Sequence, residues 1–386
     1  MRVVLDVTAA AQRRGGIGRY SARLAEALRD VPGLELQLVY SAAQPVALPR
    51  RLTAVPARRI GLPSKPWRAG IALAQLLRLP LDRWLPTGDV FHATDHLLPP
   101  LRRPATVFTV HDLAFLIQPQ THLPTNRLFL TALMPRFVAA ATAIIADSEA
   151  TRRDLLRYYP AAALKVHVVH LGVEATFQPV APEAARAVAS RYGLPERYVL
   201  FVGVLEPRKN IQTLLRAYRS LLQQRDGGTA GSLPLVIVGP RGWWYRDLYR
   251  AVRELGLAAL VRFLGPVPDA DLPALYSGAT AFVYPSLYEG FGLPPLEALA
   301  CGTPVVCSDR AALPEVVGDA ALLVDPQDAG AIARALARVL DDDHLRQALR
   351  VRGLARAARF TWERTAQATV RVYEQALAAH RAAVRG

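Results

Sequence analysis

Short apolar runs recur along the chain, each closed by a polar or glycine-rich turn and followed by residues with helical spacing. In the first half they are VVLDV at 3–7, VFHA at 90–93, ATVFTV at 105–110, AIIA at 143–146 and VHVV at 166–169. In the second half they are YVLFVGV at 198–204, PLVIVG at 234–239, VRFLG at 261–265, AFVYPS at 281–286, PVVCSD at 304–309 and AALLVD at 320–325. Runs this short between turn signals read as strands buried on both faces, and strands alternating with helices read as a parallel sheet. The expected class is therefore α/β. A chain of 386 residues is too long for one ordinary core and suits two domains. The stretch 174–195, with Pro179 and Pro182, reads as the connection followed by a short helix, which puts a first domain over 1–180 and a second over 190–360. Ser148 and Asn210 stand where helix caps are expected, and Thr361 caps a closing helix without a full capping box, because Arg364 occupies the acidic position.

Two stretches break the rhythm. Residues 129–146 are apolar, but Pro135 and Arg136 cut them into pieces well under the ~20 residues a membrane crossing needs. A buried helix followed by a strand is expected there. Residues 48–101 are irregular and proline-rich, with Arg50, Arg51, Arg58, Arg59, Lys65, Arg68, Arg78 and Arg83 set among apolar residues. Two readings stand open: a solvated arginine-rich surface, or a patch facing an anionic membrane into which Trp67, Leu76, Leu77 and Trp84 insert shallowly. The start, MRVVLDV, carries too short an apolar run for a signal peptide.

The formal charge is +15, and residues 1–190 hold 23 Lys+Arg against 13 Asp+Glu, or +10 of it. That bias suits anionic substrates or lipid headgroups. No basic stretch interleaved with aromatics marks a nucleic-acid partner. Cys301 and Cys307 match no metal spacing, and a reduced cytoplasmic chain is the simplest account. His92, Asp95, His96, His111 and Asp112 cluster at two strand exits, where polar residues of a parallel sheet face the ligand crevice. Their spacing fits no standard metal site.

The densest chemistry lies at 284–309, YPSLYEGFGLPPLEALACGTPVVCSD. A strand exits into a turn carrying Glu289, Gly290 and Gly292, and a helix opens on Pro294 and Pro295. Helix-end amides carry about half a unit of positive charge, so a phosphate near Phe291, Gly292 and Leu293 would be held without a metal. Glu289 and Glu297 are eight residues apart, one in the loop and one a turn into the helix. They can grip different parts of one ligand, and paired hydroxyls of a sugar or ribose suit carboxylates. Lysine is rare, with Lys65, Lys165 and Lys209 beside 44 arginines, and Lys209 sits at a strand-to-helix junction where a compact ammonium reaches phosphate. Gly15, Gly16 and Gly18 form a second glycine-rich junction, either a phosphate approach or a plain tight turn.

The segment EGFGLPPLEALACGTPVV resembles the E-x7-E signature of retaining glycosyltransferases of family four, with the GT-B fold, and the resemblance covers most of the chain. It implies two doubly wound Rossmann-like domains facing across a cleft, with the closing helix over 361–386 packed back on the first. It places Glu289 at the donor sugar, Glu297 at the nucleotide ribose, and Arg208 and Lys209 at the phosphates. Val204 stands where relatives often carry the first phosphate-binding arginine, so Arg208 is its substitute. Gly16 and Gly18 match a loop facing the donor, with Arg19 beside them, and TVHDLAFL places His111 at the reacting sugar near the acceptor. Gly239, Arg241 and Val267 fall on loops that flank the base, and Glu315 stands behind the site. The implied reaction is metal-free hexosyl transfer, with retention, to a glycan or lipid-linked acceptor. The HDLAFL and EGFGLPPLEA variants point to the mannosyltransferase branch and GDP-mannose, with UDP-sugars as the alternative. Rival readings are a non-catalytic sugar-nucleotide sensor, a peripheral membrane adaptor and an epimerase. They differ in whether donor is bound only, ignored in favour of lipid, or converted with no acceptor present.

Overall fold

The computed structural model describes residues 1–12, 14–224 and 233–385. The chain forms two compact units, Met1–Gly172 with Thr361–Gly386, and Val173–Phe360. The first holds a seven-stranded sheet of β1 (Arg2–Asp6), β2 (Glu35–Ser41), β3 (Ala57–Ile60), β4 (Val90–Ala93), β5 (Ala105–Val110), β6 (Ala143–Ala146) and β7 (Val166–Val168), ordered β3-β2-β1-β4-β5-β6-β7. The second holds β8 (Val199–Val202), β9 (Leu235–Val238), β10 (Val261–Gly265), β11 (Ala281–Tyr284), β12 (Val305–Ser308) and β13 (Ala321–Val324), ordered β10-β9-β8-β11-β12-β13. Neighbouring strands pair in parallel throughout.

Parallel strands need crossover helices, which cover both faces and leave the central strands no contact with water. Accordingly β4, β5, β6, β8, β9, β11 and β12 are buried along their whole length. Chain order reverses between β1 and β4 in the first sheet and between β8 and β11 in the second. Ligands of open α/β sheets bind beyond the strands' carboxyl ends at such points.

Every strand expected from the apolar runs is present, and β2 and β3 are additional. Of the basic residues that make 48–101 look irregular, Arg58 and Arg59 occupy β3, an edge strand whose ARRI residues are largely exposed, and Pro63 and Pro66 obscure the start of the helix Ser64–Leu77. Trp67 is 6% exposed and belongs to the core with Ile71, which corrects its assignment to a lipid-facing patch. Pro135 does not divide its segment: the helix Pro124–Ala140 runs through it. The interruption of about 3 kcal/mol is offset by burial of Leu130, Leu133, Met134, Phe137 and Val138. Among the described residues no helix is long and apolar enough to cross a membrane.

The unit boundary falls after Gly172, and the helix Pro182–Arg191, the short helix expected after the connection, lies inside the second unit. Arg191 Nη2 and Tyr192 Oη there donate to Asp271 at 2.7 and 2.5 Å. The closing helix Trp362–Arg385 belongs to the first unit. Thr361 caps it by accepting from the Arg364 amide at 3.3 Å, Thr365 donates to the His170 carbonyl at 2.8 Å, and Tyr373 meets His92 Nδ1 at 2.7 Å. Ser148 likewise caps the helix Glu149–Tyr158 by accepting from the Thr151 amide at 3.0 Å.

Candidate functional site

In the second unit the exits of β8 and β11 meet in one ionic network. The turn Pro207–Lys209 follows β8 and supplies two cations, while the loop after β11 supplies Glu289, which is 7% exposed. Lys209 Nζ donates to Glu289 Oε1 at 2.6 Å and to the Tyr284 hydroxyl at 2.8 Å. Arg208 donates to Glu289 Oε2 at 2.9 Å, to the Tyr288 carbonyl at 2.8 Å and to Glu206 Oε1 at 2.9 Å. Burial opposes charge on Glu289, but the adjacent Arg208 and Lys209 outweigh it and hold the carboxyl at about 2. The three residues that sequence assigned to separate parts of a ligand are therefore held together by one another.

Glu206 and Tyr284 were not singled out from sequence. Tyr284 reads there as the last apolar residue of a strand, and Glu206 as an ordinary loop carboxylate. Asn210 stands at the start of the helix Ile211–Gln224 as expected, but in left-handed conformation (φ 57°). Its amide nitrogen donates to the Pro285 and Pro326 carbonyls at 3.1 and 2.6 Å, tying three strand-exit loops together.

The helix Leu293–Ala300 begins beside Glu289, with Gly292 as its N-cap at φ 113°. A side chain there would be strained by that φ, and its Cβ would fall 2.6 Å from Leu313 Cδ2. Pro294 and Pro295 carry no N–H, and the Leu296 amide already bonds the Gly292 carbonyl at 3.3 Å. The donors this helix end can offer a ligand are thus the amides of Gly292 and Leu293. Gly290 and Phe291 are buried in the turn, and Phe291 meets Phe360 edge-on at 5.9 Å. Glu297 is 2% exposed, and its Oε2 accepts from the Tyr276 hydroxyl at 2.9 Å. Tyr276, another residue passed over in the sequence, orients that carboxylate.

Gly239, at the exit of β9, has φ 139°, and a Cβ there would lie 2.0 Å from the Gly203 carbonyl oxygen, so close passage of two strand ends explains it. Arg241 lies over the rings of Tyr245 and Tyr249, with 5.2 and 5.7 Å to their centroids. Val267 is half-buried in the loop after β10, and Glu315 lies in the helix Leu313–Val317, its carbonyl held by Arg356. Cys301 and Cys307 are free, buried thiols.

In the first unit the candidate residues gather at the exits of β4, β5 and β6. His111 follows β5 and is 8% exposed; its Nδ1 lies 2.6 Å from Asp147 Oδ2 and its Nε2 2.9 Å from the Thr94 carbonyl. The carbonyl can only accept, so Nε2 bears a proton, and the carboxylate draws a second proton to Nδ1. Burial disfavours the imidazolium, but Asp147 outweighs it and raises His111 to about 9. Burial also pushes the Asp147 carboxyl up, against the pull of His111. His111 therefore presents a fixed cation with both nitrogens engaged. Asp147 was invisible in the sequence as a partner, being 36 residues away.

Arg14 bridges Asp95 Oδ2 and Ser64 Oγ, both at 2.6 Å, and His92 is spent on Tyr373 and Thr109. Gly16 and Gly18 lie in the first turns of the helix Gly15–Arg29. Gly18 lets that helix pass the turn Thr8–Ala11, since a Cβ would meet the Ala9 carbonyl oxygen at 2.7 Å, whereas Gly16 is exposed with open space before it. Arg19 is half-buried in the same helix.

Both halves of the chain match known family patterns, Glycosyltransferase Family 4 over residues 14–177 and Glycosyl transferases group 1 over residues 189–356. O-antigen chain mannosyltransferase B of Escherichia coli is 35% identical over 376 residues, covering 93% of this chain and 96% of that protein. D-inositol 3-phosphate glycosyltransferase of Salinispora arenicola (strain CNS-205) is 40% identical over 255 residues, covering 63% of this chain and 57% of that protein. Among solved structures, sucrose-phosphate synthase from Thermosynechococcus elongatus matches with TM-score 0.77 at 23% identity, over 98% of this chain and 100% of that one. Anabaena HepE in complex with UDP and glucose matches with TM-score 0.73 at 20% identity, over 97% and 99%. These solved structures identify the fold as GT-B. The chain belongs to the group 1, family 4 glycosyltransferases, and is a nucleotide-sugar-dependent transferase.

Proposed function

We propose that this enzyme moves a hexose from a nucleoside diphosphate sugar to a glycan or lipid-linked acceptor, with retention of anomeric configuration. The observation that carries the reading is the buried Glu289–Arg208–Lys209 network beside the Gly292 helix end, at the point where strand order reverses. A bound diphosphate competes with Glu289 for the two cations and takes donors from the Gly292 and Leu293 amides. Glu289, released in part, turns to the sugar hydroxyls, and Glu297 takes the ribose. Bond breaking between the anomeric carbon and the phosphate oxygen deposits charge where Arg208 and Lys209 already stand. Their stabilisation grows towards the transition state, which is what accelerates a reaction.

The acceptor oxygen forms the new bond on the same face, and its proton passes to the departing phosphate. No protein nucleophile is used. His111 is assigned to the acceptor side, where its buried imidazolium, held by Asp147 and the Thr94 carbonyl, contributes fixed positive charge. Gly16, Gly18, Gly239 and Val267 shape the approach to the donor. Protein cations and helix-end amides supply the positive charge in this reading, so no divalent ion is needed.

The nucleotide is supported best by the solved relatives carrying UDP, UDP with glucose, and UDP-glucose, so the UDP-sugar reading stands ahead of the GDP-mannose favoured by the motif variants. Mannose as the sugar keeps support from the full-length relative named a mannosyltransferase. The test is incubation with UDP-glucose, UDP-N-acetylglucosamine and GDP-mannose, with and without EDTA, following nucleoside diphosphate release and the anomeric coupling of the product by NMR. Release that needs added metal, or an inverted product, would overturn the mechanism. Donor binding without release would leave only the sensor reading.

A further inference from the structure

Two histidines stand at neighbouring strand exits of the first unit, His96 after β4 and His111 after β5, and they are used in opposite ways. Their rings meet edge-on, with centroids 5.9 Å apart and planes at 88°. His111 has no ring nitrogen left for a ligand, since Asp147 and the Thr94 carbonyl take both. His96 is half-buried, and its Nδ1 is a buried atom with no hydrogen-bond partner among the described residues. The backbone amide of the same residue donates to Asp95 Oδ1 at 2.7 Å. Asp147 Oδ1, the oxygen not taken by His111, is buried and unpaired as well.

Buried polar atoms are nearly always satisfied, because water lost without replacement is costly, so two orphans at one set of strand exits point to the polar groups of a ligand. What would satisfy them is a donor. A carboxylate oxygen only accepts, and a neutral imidazole has one nitrogen that accepts. Burial holds His96 below its ordinary value and therefore neutral; Asp95 and Asp112 pull the other way, while His111 and Arg68 press it further down. The nearby cations are already committed, which argues against an anion as the ligand. Arg14 is bonded to Asp95 and Ser64, and Arg68 donates to Asn126 at 3.1 Å and lies 4.4 Å over the Phe129 ring. Neutral hydroxyl groups fit instead, since each brings a proton to an acceptor.

We propose that His96 binds a hydroxyl of the acceptor glycan next to the one that reacts, with Nδ1 accepting its hydrogen bond, and so sets the orientation of the acceptor. The inference rests on the transfer reading for the identity of the ligand, and on the first unit alone for the unpaired nitrogen. His96 takes no proton in the reaction: the proton of the reacting hydroxyl still goes to the departing phosphate. Of the two histidines, His96 is then the one that touches the acceptor, and His111 is the fixed charge beside it.

The full-length protein, saturated with UDP or GDP, is titrated with the methyl glycosides of mannose, glucose and galactose and with their monodeoxy analogues while the imidazole signals are followed by NMR. The His96 signals, identified by their loss in His96→Asn, should titrate below 6.5 and move with at least one glycoside. In wild type one deoxy analogue should bind about tenfold more weakly than its parent, and in His96→Ala the same pair should bind alike. His96→Asn, whose side-chain oxygen stands in for Nδ1, should restore the discrimination, a recovery that a merely structural role would not give. His96 signals unmoved by every glycoside, as when water alone meets the nitrogen, would overturn the proposal, and the wild-type protein suffices to show it. So would discrimination that survives in His96→Ala. Because binding is read without turnover, either result is distinct from a failure to release nucleoside diphosphate, which bears on the transfer reading.

Discussion

The two units place ionisable residues at the same kind of position, beyond the carboxyl ends of parallel strands, and use them differently. In the first, His111 has both ring nitrogens engaged, one by the Asp147 carboxylate and one by a backbone carbonyl, and the charge is locked in place. In the second, Glu289 is gripped by two side-chain cations whose natural competitor is another anion. Both pairs are buried, so neither is explained by surface pairing worth about 0–1 kcal/mol. The difference teaches that burial alone does not mark a working site. What distinguishes Glu289, Arg208 and Lys209 is that, in the proposed reaction, their partners are exchanged for a diphosphate next to a helix end.

Removing one cation breaks the comparison most severely. Lys209→Ala should lower kcat/KM by roughly 2–4 kcal/mol in transition-state terms, and should also lower the melting temperature because a buried carboxylate loses a partner. Steady-state kinetics beside a thermal melt separate the two effects. Unchanged turnover would reduce the network to a structural one.

Acid should act on the second unit first. The Glu289 carboxyl is depressed from 4.5 to about 2, so its stabilisation is complete above 4.5 and is lost as pH falls towards 2, a change of about 3 kcal/mol. Glu289→Gln should remove that acid dependence from the denaturation midpoint measured across this window.

Alkali should act on the first unit. His111 is raised from 6.5 to about 9, so its contribution is complete below 6.5 and is lost as pH rises through 9. We expect about 2 kcal/mol, part of the gain being offset by the burial of Asp147. In Asp147→Asn the imidazole resonances should titrate well below 9, and persistence of the high value would assign the shift to another group.

The glycine-rich junction gives the smallest contrast. Gly18→Ala forces a Cβ against the Ala9 carbonyl and should cost about 1–3 kcal/mol, whereas Gly16→Ala meets open space and should stabilise by about 0.5 kcal/mol. A fall in donor affinity for Gly16→Ala without a fall in melting temperature would give that glycine a role at the ligand.

Much of the fold was legible because buried parallel strands leave a signal that needs no partner to be seen. Runs such as VLFV and LVIV are apolar at every position, since both faces are covered. β3 was not legible, because ARRI lies on an exposed edge and lacks that signature. The Ser64–Leu77 helix was hidden for a related reason: with apolar residues on both faces, and two prolines at its start, it shows no amphipathic stripe.

By itself the sequence determined the class, the strands buried on both faces and the loop carrying Glu289, because local chemistry dictates these: apolar runs, glycine at a turn, proline in a first helical turn. Tertiary structure alone decided which charges meet. Glu289 and Lys209 are 80 residues apart and His111 and Asp147 36, and such pairs form only when strand order brings their exits side by side. It also decided that Trp67 packs inward while its neighbours on the helix face water, because a helix places residues on opposite faces whether or not both are apolar.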